Sequence, residues 1–224
     1  MTSELKLRTA RSELLQEYTF YGYLAMKLEL EENNDLPSPT IATDGETLYY
    51  DRKFIEQVDF DELKYFILPH ELWHIILEHT GEKRMKERTP ARWYRACDYA
   101  VNCKLKRAGI KLPDYAFYNK RFENLVAERI YDMLPEDKTS FFDAVLEGKT
   151  SKVDWREAIL EAGAIARMRG NLSQDIEESI NELLKPKIDW KIRLLKYVEQ
   201  LIKGNYSYSK PNKKYTDVIF PSFC

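Results

Sequence analysis

Histidine is scarce in this chain: three residues in 224, all of them (His70, His74 and His79) falling between positions 70 and 79. Glycine is scarce as well, at eight residues, which argues against a sheet-rich fold with many tight turns. The three cysteines (Cys97, Cys103, Cys224) match neither a CxxC zinc site nor a disulfide framework. A reduced, cytoplasmic setting is therefore expected, with Cys97 and Cys103 as small core hydrophobes. No run reaches about 18 consecutive apolar residues, so no membrane-spanning helix is expected. The opening MTSELKLRTARSELLQEY alternates charges and lacks an apolar core, so no secretory leader is expected either. A net charge of −2 gives no reason to expect a nucleic-acid partner.

What remains is ordinary globular material, 44% hydrophobic and 32% charged, long enough for one domain or one domain with an appendage. Apolar spacing predicts one long helix over 4–31, closed by Asn, Asp and two Pro in NNDLPSPT. The segment 40–51 reads as a hairpin around Asp44-Gly45 and carries the only convincing strand signal. A short helix is expected at 52–57. Asp59 or Asp61 then caps a helix through DELKYFILPHELWHIILEH, in spite of Pro69 inside it. A further helix, ARWYRACDYAVNCKLKRAG, ends at Gly109, and others are expected near 122–133, 153–168, 173–185 and 189–203. Two tetrads, Lys152-Val-Asp-Trp155 and Lys187-Ile-Asp-Trp190, each read as an Asp cap followed by a core Trp. The stretch 205–224 is polar and basic before its final apolar run, and reads as a connector.

His70-Glu71-Leu72-Trp73-His74 is an HExxH motif within a helix. At about 100° per residue, positions four apart lie only about 40° around the axis, so both imidazoles leave one face. Two neutral imidazoles a turn apart can hold two corners of a zinc tetrahedron, and Glu71 can serve as general base. A third ligand is needed. His79 would lie about 140° from His74 on a continuous helix, and no glycine stands between the two to turn the chain. Asp98 is favoured over it, because it sits among Ala96, Cys97, Ala100 and Val101, where a carboxylate is costly without a cation. His79 then becomes a supporting or alternative ligand near Asp98, and Asn102, one turn after Asp98, could orient a ligand or a substrate carbonyl. Tyr94, Tyr99, Tyr115 and Tyr118 are candidate oxyanion partners. The hairpin could hold an extended peptide along its edge or be ordinary core.

In this combination of residues the chain resembles a family of metallopeptidase-like domains of bacterial and phage proteins that usually precede a von Willebrand factor A-like domain. The resemblance rests on Thr43-Asp-Gly, Leu48-Tyr-Tyr, His70-Glu-Leu-Trp-His74 with His79, and Trp93 with Ala96-Cys-Asp98-Tyr-Ala-Val-Asn102. It continues through Gly170-Asn-Leu, Pro186-Lys-Ile-Asp-Trp190 and Ser207-Tyr-Ser-Lys-Pro211-Asn-Lys-Lys-Tyr215. It implies a zincin-like α+β domain, predominantly helical, over residues 1–204, with the core at about 1–135 and a helical subdomain at about 136–204. It also implies that 205–224 leads toward a von Willebrand factor A-like domain beyond residue 224. His70, His74 and Asp98 would bind zinc, Glu71 would be catalytic, and the substrate would be a protein or peptide. A MoxR-type AAA+ ATPase is the implied partner. The competing reading is a catalytically silent adaptor that keeps the fold and works with that ATPase; a purely structural metal site would have no use for Glu71.

Overall fold

The computed structural model describes residues 2–36, 40–80, 82–85, 87–135 and 152–184, together with 194–195, 197–199, 206–207 and 222–223. The chain divides into two compact units, Met1–Leu183 and Leu184–Cys224. In the second unit a short antiparallel ladder pairs Tyr206–Ser207 with Ser222–Phe223. The second Lys-Ile-Asp-Trp tetrad and most of the helix expected at 189–203 lie outside the described residues.

The first unit departs from its sequence pattern at once. The expected helix over 4–31 is instead α1 (Ser3–Glu17), α2 (Thr19–Met26) and strand β1 (Glu29–Glu32). Thr2 caps α1 through its side chain, and the chain bends at Tyr18 (φ −127°, ψ 73°). Gly22 is what lets α2 fold back on α1, because a Cβ there would stand 2.1 Å from the Leu15 Cα. Both helices are apolar along their contact, so continuous periodicity hides the break. β1 has the composition Glu-Leu-Glu-Glu, poor in strand formers, and is set by pairing parallel to β3 (Thr47–Tyr50), with Leu30 opposite Leu48. The predicted hairpin forms as β2 (Ile41–Thr43) antiparallel to β3, and the sheet order is β1-β3-β2.

Helix α3 (Arg52–Gln57) is capped by Asp51, and Asp59 caps the short α4 (Phe60–Glu62) by accepting from the Asp61 and Glu62 amides. The helix runs on through a π-helical turn, Leu63–Ile67, into α5 (Leu68–Ile76). In that wide turn the Leu68 amide reaches back to the Leu63 carbonyl, five residues away. A proline ring in a regular helix meets the carbonyl four residues before it, so a widened turn just upstream is where the helix accommodates Pro69. All nine residues of α5 are buried. Trp73 anchors its back by donating from the indole to the Tyr21 hydroxyl on α2, at 3.0 Å.

After a short α6 (Glu82–Met85), α7 (Pro90–Arg107) carries two working faces. Trp93, Ala96, Cys97, Ala100 and Cys103 form a core cluster with Ala127 and Ile130 of α8 (Ala127–Met133). Burial raises both thiols, that of Cys103 to about 11. They are core groups, as their sequence setting predicts. α9 (Trp155–Met168) is capped by Asp154, and the Trp155 indole donates to the Gly45 carbonyl at 2.7 Å, tying α9 to the hairpin turn. α10 (Gln174–Leu184) follows. No helix among the described residues is long and apolar enough to cross a membrane.

Gly22→Ala should cost about 2–4 kcal/mol of folding stability, since the two helix backbones must separate to admit the methyl group. Gly109→Ala, at a helix end with φ 81° and open space around it, should cost only about 1 kcal/mol. Chemical denaturation of both variants checks the pair; equal losses would show that the α1–α2 crossing relaxes easily.

Candidate metal centre

Three of the sequence-selected donors converge where α5 faces α7. His70, His74 and Asp98 each offer one atom, and the three lie within 4.8 Å of one another. The His70 and His74 Nε2 atoms are 3.0 Å apart. Asp98 Oδ1 lies 3.8 Å from His70 Nε2 and 3.3 Å from His74 Nε2. All three residues are at least 95% buried.

Asn102, one turn after Asp98 on the same face, fixes how His70 presents itself. Its Nδ2 donates to the Phe117 carbonyl at 3.0 Å, which orients the amide and turns Oδ1 toward His70 Nδ1, also at 3.0 Å. An amide oxygen only accepts, so His70 carries its proton on Nδ1 and a lone pair on Nε2. The helix spacing that puts His70 and His74 together thus meets a second helix that sets the tautomer of one of them.

These donors fit a divalent metal ion. Bonds of about 2.0–2.1 Å in a tetrahedron imply donor–donor edges of roughly 3.3–3.4 Å, and the observed separations of 3.0, 3.3 and 3.8 Å bracket that value. Two imidazoles and a carboxylate buried together are costly to desolvate, and a divalent ion would offset that cost.

His79 reaches the neighbourhood by a route the sequence hides. The helix stops at Leu77, and Glu78 takes the left-handed conformation at φ 56°, with the His79 amide bonded to the His74 carbonyl. The chain therefore makes a glycine-type helix ending without glycine. His79 is buried, with ring contacts to His74 (5.3 Å) and Trp93 (6.3 Å). Its Nδ1 has no hydrogen-bond partner among the described residues. Burial, then the neighbouring His74, Arg84 and His70, holds the imidazole well below its ordinary value and hence neutral. Arg84 stabilises this corner, donating to the Leu77 carbonyl and to both Glu128 oxygens, at 2.8 and 2.7 Å.

A cleft of about 770 Å³ opens on the centre, lined by His70, Glu71, Asp98 and Asn102. Phe54, Val58, Phe66, Ile67 and Phe117 make its walls apolar, and Thr40 and Ile41 bring β2 to its side. Glu71 is thus on the cleft wall beside His70. Of the four tyrosines singled out from sequence, only Tyr115 lines this cleft among the described residues. Tyr118 donates to Glu123, Tyr99 packs on Phe117 and Phe122, and Tyr94 joins the α7–α8 cluster. Sequence reasoning named Tyr115 but missed its neighbours Ala116 and Phe117 in that wall. Its signal was present in the aromatic run Tyr115-Ala-Phe-Tyr118 between Pro113 and Asn119, an unusual composition for a solvated loop.

A family model described as "Putative metallopeptidase domain" matches residues 2–144 and 136–224 of the chain. No curated protein and no solved structure matches it.

Competition with a chromophoric chelator should find about one divalent ion per chain, lost in His70→Ala and in Asp98→Ala. Asn102→Ala should weaken binding about 10–100-fold through loss of the tautomer lock. His79→Ala should change it little; a larger loss there than in Asp98→Ala would reverse the ligand assignment.

Proposed function

The chain belongs to the Putative metallopeptidase domain family, and on that premise we propose that it is a zinc-dependent peptidase with a zincin-like arrangement. His70, His74 and Asp98 are the protein ligands and Glu71 is the general base. The observation that carries this reading is that the buried donor group opens, through His70 and Asp98, on a cleft that Glu71 also lines. A structural metal site has no need of a cleft or of an additional carboxylate on its wall.

When bound, the ion supplies Lewis acidity toward a carbonyl oxygen and toward water. Glu71 takes a proton from water as the water oxygen bonds to the peptide carbon. The same carboxyl then delivers that proton to the amide nitrogen as the C–N bond breaks. Asn102 keeps the His70 Nε2 lone pair directed inward throughout. The apolar walls exclude bulk water and so strengthen the electrostatic interactions at the reacting bond.

β2 offers a way to hold the substrate. Hydrogen bonds from the Asp51 amide to the Thr40 carbonyl and from the Asp44 amide to the Thr47 carbonyl set which residues pair inward. By the two-residue alternation of an antiparallel ladder, Ile41 turns its amide to the outer edge of β2, which pairs with no strand among the described residues, and Ile41 lines the cleft. An extended peptide can add there as a further strand.

Glu71→Gln should retain the metal and lose about 10²–10⁴-fold in peptide cleavage, measured with zinc-loaded protein on a mixed peptide library. Unchanged cleavage would remove Glu71 from the reaction. If cellular function survives in Glu71→Gln, the adaptor role beside a MoxR-type ATPase gains instead.

A further inference from the structure

Resting on the peptidase reading, we propose that the cleft selects a peptide with a bulky apolar side chain beside the cleaved bond and a basic residue farther along the same side. The apolar requirement comes from Phe66 and Phe117, which both line the cleft. Phe66 also touches the metal-side imidazole, its ring 5.6 Å from that of His70. Four helical residues separate Phe66 from His70, about 6 Å along the axis, the span of roughly two residues of extended chain. Little in that wall can pair with a polar side chain, so a polar residue would be buried there without hydrogen bonds.

The basic requirement comes from the far end of the same cleft. Asp59 and Glu62 line it, while no lysine or arginine does among the described lining residues. Neither acid forms an ion pair among the described residues: Asp59 accepts from backbone amides and Glu62 accepts from the Tyr115 hydroxyl. The neighbouring Lys6 ammonium is taken up by the Ile55 and Val58 carbonyls. A bound divalent ion would offset negative charge at the Asp98 end of the cleft, whereas the two rim carboxylates have no ion-pair partner among the described residues. Eight residues from Glu62 to His70 are about 12 Å of helix, so a cation on a bound extended peptide meets Glu62 roughly three to four residues from the bond. The cleft therefore reads spacing as well as residue type, with the π-helical segment between Glu62 and His70 as its ruler.

Two measurements on the full chain test this. Zinc-loaded wild type is given a peptide library generated without cleavage at Lys or Arg, and the cut sites are read by mass spectrometry. In parallel, zinc-loaded Glu71→Gln is titrated with labelled peptides that differ only in Arg, Ala or Glu at that position. The expected result is enrichment of a large apolar residue with Lys or Arg at the stated spacing. Adding Glu62→Lys should swing the Arg-to-Glu preference by roughly tenfold toward Glu. Cleavage without a basic preference, or a preference that Glu62→Lys leaves unchanged, overturns the specificity and leaves the peptidase reading standing. Absent cleavage, with binding selectivity that reverses in the Glu62→Lys background, upholds the cleft's selectivity and sinks the peptidase reading instead. Binding indifferent to the charge of the peptide residue overturns the proposal in either case.

Discussion

The structure turns on one costly burial: His70, His74, Asp98 and Asn102 meet between α5 and α7, each at most 5% exposed. Four polar side chains taken from water into an apolar interior are tolerated only where hydrogen bonds or a cation offset their desolvation. Asn102 supplies one offset by bridging His70 to the Phe117 carbonyl. A metal ion is the other that the donor geometry suits. Much of the surrounding architecture holds α5 still enough for this to work. Trp73 pins its back to Tyr21, the wide turn accommodates Pro69, and Arg84 ties the Leu77 carbonyl at its end to Glu128 of α8.

The cleft follows from the same packing. α5 is covered by α2 on one side and α7 on another, but its N-terminal extension leaves a trough between β2, α3 and the 115–117 loop. That trough brings apolar walls, the outer edge of β2 and two rim acids to the face that carries Glu71. The chemistry proposed for Glu71 and the selectivity proposed for Glu62 are thus two consequences of one helix, read at positions about 13–14 Å apart along its axis.

Several features were legible because they depend on local rules. HExxH declares a shared helical face through its spacing alone. Asp98 stood out as a carboxylate among small apolar residues, and Asp51, Asp59 and Asp154 occupy cap positions that their side chains suit. Asp44-Gly45 marked the hairpin, with Gly45 at φ 90°. The helix break at Tyr18 was not legible, because α1 and α2 are both apolar along their contact and so continue one pattern. Nor was β1, whose glutamates become a strand only when β3 is there to pair with it.

The sequence by itself determined the ingredients of the centre: two imidazoles on one face, a carboxylate beside the first of them, and a second helix with an acid and an amide one turn apart. These are fixed by helical geometry, which needs no partner. Tertiary structure alone decided which donors meet. Glu78 in a left-handed turn brings His79 close to His74, yet the convergent oxygen belongs to Asp98, 24 residues beyond His74 in the chain. Distances between elements depend on packing, and packing here depends on contacts such as Gly22 against Leu15 and Trp73 against Tyr21. No periodicity along a single segment encodes them.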